Sequence, residues 1–225
     1  MAAPGPDRTR ARALCAEYSA RSDALGWFEA LYREAGEGRA VVPWADLVPN
    51  PQLVDWHARG GYVFQGKRCL KVGCGFGDDA EYLARAGADV VAFDIAPTAI
   101  ARCRERFPAT SVEYVPADVL DPPGAWYESF DFVLEAYTLQ VLPSELRPNA
   151  LRNLARFVKL GATLLVICRG RDTADPEGQM PWPLTRTQFA IAPELGLREV
   201  RFEDFVDQET PPVRRFRIEY ARERA

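Results

Sequence analysis

The sequence predicts an α/β fold built on a doubly wound sheet of about seven strands, mostly parallel with the last strand antiparallel, and with helices on both faces. The main evidence is residues 68–94, which predict a buried strand, a glycine turn, a helix and a second strand that ends on Asp94. Apolar runs and helical patterns then alternate through residues 97–168, as in repeated βα units. At 225 residues and 48% hydrophobic content, the chain is long enough to enclose such a sheet.

The predicted turn after the first strand has the features of a nucleoside-binding site. It holds three glycines at alternate positions: Gly73, Gly75 and Gly77. Asp94 lies 21 positions after the first of them, a spacing at which a carboxylate on the second strand can accept both hydroxyls of a ribose. The helix begins with Asp78 and Asp79, and acids at that point would repel a pyrophosphate. The pattern therefore favours S-adenosylmethionine, which carries a sulfonium and no phosphate, over NAD.

These residues resemble a known family along a large part of the chain. VGCGFGDDAEYLARAGADVVAFDIAPTAI, VEYVPADVLD and FDFVLEAYTLQVLP together resemble the Rossmann-like cofactor-binding region of class I S-adenosylmethionine-dependent methyltransferases, over roughly residues 60–170. Upstream, WFEALYREAGEGRAVVPW resembles the leader of the thiopurine-methyltransferase-like branch, which methylates small thiols, selenols, halides and similar nucleophiles. The resemblance implies an enzyme that transfers a methyl group directly to a small-molecule acceptor, with alignment as its main task.

The same resemblance implies a set of cofactor-binding residues. Asp118 would accept a hydrogen bond from the adenine amino group, and the Val119 amide would contact the ring. The full predicted set is Trp27, Trp44, Gly73, Cys74, Gly75, Gly77, Asp79, Asp94, Ile95, Asp118, Val119 and Glu135. One position departs from the family, because Lys71 stands two residues before the first glycine, where an acid usually helps to hold the methionine amino group. Either Lys71 points away from the cofactor or nearby acids compensate for it.

The acceptor side of the site is predicted from the fourth strand and a long loop. The strand, residues 130–134, is followed by the two catalytic candidates, Glu135 and Tyr137. Glu135 would contact the methionine amino group or orient the nucleophile, and Tyr137 would stack on or hydrogen-bond the substrate. The loop at residues 169–183 is interpreted as an acceptor lid or as a disordered connection. Its predicted substrate contacts are Arg169 and Trp182, and Arg169 with Arg171 would be able to hold an anionic acceptor. The only histidine, His57, is interpreted as a surface or packing residue.

The remaining segments complete the predicted organisation. We interpret residues 1–7 as a disordered leader, residues 8–60 as a helical cap over the cofactor pocket and residues 61–225 as the core of one methyltransferase domain. Further helices are predicted at residues 9–35 with a break near 22–23, and at 53–59, 97–107, 144–158 and 185–194. Strands are predicted at 112–115 and 162–168, followed by an antiparallel hairpin of 197–205 and 213–220, whose arginines 214, 215 and 217 are assigned to a solvated face.

Composition disfavours several other classes of protein. With 28 basic and 32 acidic residues, a net charge of −4 is a poor match for nucleic-acid binding, which also disfavours an RNA-modifying methyltransferase. Five cysteines without a C-x-x-C pair, and one histidine, predict no metal site and a reduced, cytoplasmic protein. The longest apolar run, residues 162–168, is too short to cross a membrane. The alternatives left open are a non-catalytic S-adenosylmethionine-binding protein, an NAD-dependent oxidoreductase, and an O- or N-methyltransferase of a specialised metabolite.

Overall fold

A computed structural model describes residues 7–223, so the predicted leader, apart from Asp7, lies outside the described range. The described residues form one sheet in the order β3-β2-β1-β4-β5-β8-β7, with the short β6 paired to β5. Strands β1 to β5 are mutually parallel, and β8 is antiparallel to both of its neighbours. The predicted fold class is confirmed. The strands are β1 Arg68–Val72, β2 Asp89–Asp94, β3 Glu113–Pro116, β4 Phe130–Ala136, β5 Val158–Arg171, β6 Leu184–Thr185, β7 Leu197–Val206 and β8 Arg214–Arg222.

Helices cover both faces of this sheet. They are α1 Thr9–Ser19, α2 Gly26–Gly36, α3 Pro51–Gly60, α4 Asp78–Arg85, α5 Pro97–Arg106 and α6 Arg147–Phe157. Leu53 of α3, Leu83 of α4 and Ile100 of α5 pack on one face of the sheet, and Leu151 and Leu154 of α6 pack on the other. The central strands are buried on both faces, which is the usual reason that parallel strands have nearly continuous apolar sequences.

The first two helices and the loop after them form a cap over the carboxyl ends of the central strands. Glu29 of α2 accepts a hydrogen bond from the backbone N–H of Thr98 at 3.0 Å, which places a carboxylate at the start of α5, where the helix dipole favours it. Arg12 of α1 donates to the carbonyl of Met180 at 2.8 Å, so the cap also holds the loop that follows β5. No helix in residues 7–223 is long and apolar enough to span a bilayer.

Two predicted helices differ from the structure. The segment predicted as a helix over 185–194 contains β6 and two 3₁₀ turns, Arg186–Phe189 and Pro193–Leu195. A capping box between Thr185 and Gln188 starts the first turn, but an α-helix could not continue because the ring of Pro193 would clash with the carbonyl four residues earlier. The helix predicted from residue 144 begins at Arg147, with a proline in its first turn.

Candidate active site

A cavity of about 590 Å³ lies at the carboxyl ends of the central strands, beneath the cap. This is where ligands bind in open α/β sheets. Its floor comes from the turns after β1, β2, β3 and β4, and its roof from α2, the loop of residues 43–51 and residues 180–181. Residues 209–210, between β7 and β8, close one end. The loop after β5 therefore reaches the cavity, and its role as an acceptor lid stays a prediction.

The three glycines of the turn after β1 differ in their surroundings, because two of them line the cavity and one does not. All three glycines have positive φ, at 57°, 55° and 91°. A Cβ on Gly75 would approach Tyr32 and Trp44 at 3.4 and 3.9 Å, and all three residues line the cavity. A Cβ on Gly77 would instead collide with the hydroxyl of Tyr114, and Gly77 does not line the cavity. Gly73 and Gly75 thus line the cavity, although a Cβ on Gly73 would also collide with the Thr138 hydroxyl. Gly77 is needed for packing against Tyr114 of β3.

Asp94 is held rigidly beside this turn. Its Oδ2 accepts a hydrogen bond from the Gly75 N–H at 2.9 Å, and its Oδ1 accepts one from the Ala96 N–H at 3.0 Å. The side chain is buried, and burial raises the pKa of its carboxyl to about 6 against the opposing effect of these two bonds. A carboxylate has about four acceptor sites. Asp94 therefore retains acceptors that face the cavity and suit vicinal hydroxyls.

The predicted adenine residues lie at the same end of the cavity. Asp118 and Val119 follow β3, and both line the cavity together with Ile95. Asp118 Oδ1 accepts a hydrogen bond from the Leu120 N–H at 2.8 Å, which fixes the carboxylate in its turn. Within residues 7–223, Asp118 Oδ2 makes no hydrogen bond. The arrangement leaves an acceptor for an exocyclic amine.

Lys71 is among the residues that line the cavity, which favours the alternative in which nearby acids compensate for its charge. Its side chain is buried, and its Nζ donates to the Val72 carbonyl at 3.0 Å and lies 3.6 Å from Asp79 Oδ2. Asp79 Oδ1 also accepts from the Asn50 N–H at 2.7 Å. Asp78 instead pairs with Arg106 on α5. Asp79 thus neutralises the unexpected cation beside the glycine turn.

Glu135 does not line the cavity, although the sequence predicts it as a catalytic and cofactor-binding residue. It is fully buried, and its Oε1 accepts hydrogen bonds from the backbone N–H groups of Thr138 and Leu139 at 2.6 and 3.0 Å. Its Oε2 has no partner among the described residues. Burial raises the pKa of this carboxyl to about 7. In this structure Glu135 holds the turn after β4 rather than contacting the space for a ligand.

Tyr137 and Arg169 line the cavity, as predicted for substrate contacts. Tyr137 has a φ of 70°, and the guanidinium carbon of Arg215 lies 4.7 Å from its ring centre. Burial raises the pKa of Tyr137 to about 12, so the hydroxyl is a hydrogen-bond donor rather than a base near neutral pH. Arg171 lies outside the cavity, because its guanidinium binds the carbonyls of Pro183 and Asp175 within its own loop.

Of the three tryptophans predicted to lie in the site, one lines the cavity and two do not. Trp44 lines the cavity, with its Nε1 donating to the Tyr32 hydroxyl at 2.9 Å. Trp27 is fully buried in the cap and does not reach the cavity. Trp182 does not line the cavity. Its backbone N–H donates to the Gln140 carbonyl, and its ring centre lies 5.7 Å from the Arg147 guanidinium carbon. Its neighbours 180 and 181 line the cavity in its place.

The sequence pattern does not predict several of the residues that line the cavity. Arg215 and Arg217 were assigned to a solvated strand face, but each is only 2% exposed and forms buried ion pairs, Arg215 with Asp207 and Arg217 with Glu203. Their i, i+2 spacing predicts a shared face but not that other segments cover it. Arg215 lines the cavity, whereas Arg217 does not and is bound to Gln52 and Asp55 of α3. Arg8, Asn50, Lys71, Glu209 and Arg215 line the cavity beside the predicted residues.

His57 lies outside the cavity, so the interpretation as a packing residue agrees with its position. Its Nδ1 lies 2.7 Å from the Tyr82 hydroxyl, and its Nε2 lies 3.0 Å from the Tyr62 carbonyl.

Comparison with known proteins shows that the chain is similar to methyltransferases. Residues 69–161 match a family model described as a methyltransferase domain. The chain is 30% identical over 172 residues to the 2-heptyl-1-hydroxyquinolin-4(1H)-one methyltransferase of Mycobacteroides abscessus, covering 72% of each. It is 32% identical over 114 residues to a ubiquinone biosynthesis O-methyltransferase of Aliivibrio fischeri, covering 50% of this chain and 48% of the relative.

Solved structures share the fold at low sequence identity. The 1,6-didemethyltoxoflavin-N1-methyltransferase of Burkholderia thailandensis, with bound 1,6-didemethyltoxoflavin and S-adenosylhomocysteine, has a TM-score of 0.68 at 17% identity, covering 100% of this chain and 94% of that one. The N-methyltransferase NodS of Bradyrhizobium japonicum, in complex with S-adenosylhomocysteine, has a TM-score of 0.65 at 21% identity, covering 86% and 99%.

Proposed function

The chain belongs to the class I S-adenosylmethionine-dependent methyltransferases, and we propose that it methylates an oxygen of a small-molecule acceptor that carries an acidic hydroxyl. The observation that carries the proposal is that Gly75, Asp94 and Asp118 line the same cavity, with the Gly75 N–H donating to the Asp94 carboxylate. The relatives support oxygen as the acceptor atom, since one is named for a hydroxyquinolone and the other for O-methylation in ubiquinone biosynthesis.

The cavity residues fit S-adenosylmethionine. Asp94 would accept hydrogen bonds from the ribose hydroxyls, and Asp118 with Val119 would bind the adenine; all three line the cavity. The buried pair of Lys71 and Asp79 presents one charge of each sign, which suits a zwitterionic amino-acid end. When bound, the cofactor supplies a methyl group on a sulfonium that is already a good leaving group.

The protein's own contribution to the reaction is then mostly alignment. Cap and loop residues exclude water from above, and Tyr137 donates a hydrogen bond to the acceptor oxygen. An acidic hydroxyl loses its proton to solvent near neutral pH, so its oxygen is nucleophilic without a strong protein base. This agrees with a cavity that has no histidine among its described lining residues.

The proposal is tested by calorimetric titration with S-adenosylhomocysteine, beside NADH. We expect micromolar binding of S-adenosylhomocysteine and none of NADH. Asp94→Asn should weaken S-adenosylhomocysteine binding by about 10- to 100-fold, since hydrogen bonds to a charged group contribute about 1.5–3 kcal/mol. Asp89→Asn is the matched control, because Asp89 is exposed at the other end of the same strand. Binding of NADH alone would favour the oxidoreductase alternative and refute the proposal.

A second candidate is methylation of a soft nucleophile, such as a thiol, selenol or halide. The observation in its favour is again the absence of a histidine base from the described cavity residues, because thiolates and halides need little or no base. Matched 4-nitrophenol and 4-nitrothiophenol acceptors separate the two candidates, because the 4-nitrophenol hydroxyl is acidic enough to ionise near neutral pH. Faster transfer to the phenol supports the oxygen acceptor, and transfer to the thiophenol alone supports the branch predicted from the leader. Cofactor binding without turnover of any acceptor would favour a non-catalytic role.

A further inference from the structure

We propose that the acceptor carries a carboxylate and that Arg169 binds it. This inference rests on the proposed function and adds the chemical class of the acceptor. The relevant part of the cavity is formed by Arg8, Arg169 and Arg215, which we call the arginine subsite.

The arginine subsite lies on the side of the cavity opposite the adenosine residues. Asp94 ends β2 and Asp118 follows β3, whereas Arg169 belongs to β5 and Arg215 to β8. In the order β3-β2-β1-β4-β5-β8, three strand spacings separate β2 from β5. At about 4.8 Å per spacing this is about 14 Å. The glycine turn after β1 lies between them, so the arginine subsite is placed for the acceptor.

The charges in the subsite are not balanced by the described residues. Arg169 and Arg215 are directly opposite each other on antiparallel strands, and like charges in that position repel. Arg215 is compensated by ion pairs with Asp207 at 2.6 Å and with Glu209. No carboxylate in residues 7–223 lies within 4 Å of the Arg169 guanidinium. Burial, with Arg8 and Arg215 nearby, lowers the pKa of Arg169 to about 10.

The remaining charged groups do not supply the missing anion. Arg8 also lines the cavity without an ion pair to a described residue, and burial lowers its pKa. Glu209 faces the same space but is already bound to Arg215, and Asp46 is exposed to solvent, which screens its charge. A partly buried, unpaired guanidinium is costly, and an anionic ligand would remove that cost.

A carboxylate is the anion that suits this position. A guanidinium presents planar N–H donors that match the two oxygens of a carboxylate. Tyr137 and Met180 line the adjoining wall and offer an aromatic ring and a thioether to the body of the acceptor. The acceptor would then lie with its carboxylate at Arg169 and its nucleophilic atom toward Tyr137.

The test compares acids with their neutral amides on the protein saturated with S-adenosylhomocysteine. The probe pairs are 2-hydroxybenzoate with 2-hydroxybenzamide, and 3-(4-hydroxyphenyl)propanoate with its amide, each titrated calorimetrically. We expect at least one acid to bind at least tenfold more tightly than its amide. Arg169→Gln should abolish this preference, while Arg152→Gln, an exposed arginine on α6, should retain it. If Arg169→Gln does not fold, Arg8→Gln removes a second charge of the subsite from a position before α1, and should reduce the preference at least threefold.

Several results would overturn the inference. These are equal binding of acid and amide, binding of neither, or a preference that survives Arg169→Gln. A loss of S-adenosylhomocysteine affinity above tenfold in Arg169→Gln, with no change in acid preference, would mean that Arg169 holds the carboxylate of the cofactor instead. The wild-type S-adenosylhomocysteine titration distinguishes failure of the proposed function from failure of this inference. If S-adenosylhomocysteine does not bind, the proposed function is refuted. If it binds but acids bind no better than amides, only this inference is refuted.

Discussion

Replacing Glu135 with glutamine should change how the stability of the protein depends on pH. Glu135 is fully buried, and burial raises the pKa of its carboxyl from 4.5 to about 7. A change of this size corresponds to about 3 kcal/mol between the two protonation states. Between these two pH values the folded protein keeps the proton and the unfolded chain has lost it, so stability falls as pH rises. The contribution is fully present below about pH 4.5 and is lost as pH rises through about 7.

Glutamine imitates the protonated form of this residue. Its oxygen can accept the same backbone hydrogen bonds from Thr138 and Leu139, and it has no charge to bury. We therefore expect Glu135→Gln to match wild-type stability within about 1 kcal/mol at pH 5 and to exceed it by up to about 3 kcal/mol at pH 8. Urea unfolding across that pH range measures the difference.

The control is Glu113→Gln, because Glu113 is exposed on β3 and should leave the pH profile unchanged. A stability difference between Glu135→Gln and wild type that stays constant from pH 5 to pH 8 would refute the reasoning. Because Glu135 does not line the cavity, the variant should also bind S-adenosylhomocysteine within about threefold of wild type. A much larger loss of affinity would indicate that Glu135 contacts the cofactor, as the sequence predicts.

Two further pairs of substitutions test the packing of the glycine turn and the compensation of the Lys71 charge by Asp79. Gly77→Ala should lower the free energy of unfolding by about 2–4 kcal/mol, because the position has a positive φ and the new Cβ would collide with Tyr114. The control is Gly61→Ala, which has a positive φ but open space around it and should cost only about 1–2 kcal/mol. Equal losses in chemical unfolding would contradict the collision. Lys71→Met and Asp79→Asn should each cost about 3 kcal/mol, because each leaves a buried charge unpaired. The double variant should lose clearly less than their sum, and strict additivity would show that the two residues do not interact.

The local chemistry of the cofactor half could be predicted from the sequence because it depends on short-range order. Gly73, Gly75 and Asp94 lie within one strand-turn-helix-strand unit, and the backbone geometry of that unit brings them together. Asp118 is predicted by the resemblance to the methyltransferase family, and it lies beyond the carboxyl end of β3, where ligands bind in such sheets. The resemblance to the methyltransferase family also predicts Trp44 and Tyr137, and both line the cavity.

The predictions that failed depend on which long-range neighbours cover a side chain. Glu135 lies near the carboxyl end of the buried strand β4, as a candidate catalytic acid should, but its carboxylate accepts hydrogen bonds from the turn after β4. Trp27 has the helical spacing of a cap residue, and only the packing of α1 on α2 decides that it faces the interior of the cap.

The sequence by itself determined the fold class, the cofactor class and the acids that would hold the nucleoside, because those depend on local spacing and strand order. Only the tertiary structure decided the charge balance of the cavity. The pairing of Lys71 with Asp79 crosses from β1 to α4, and the position of Arg169 opposite Arg215 requires the register of β5 with β8. Electrostatic interactions act through space between groups far apart in the chain, so the charges that surround Arg169 cannot be predicted from local sequence and depend on how the strands pair.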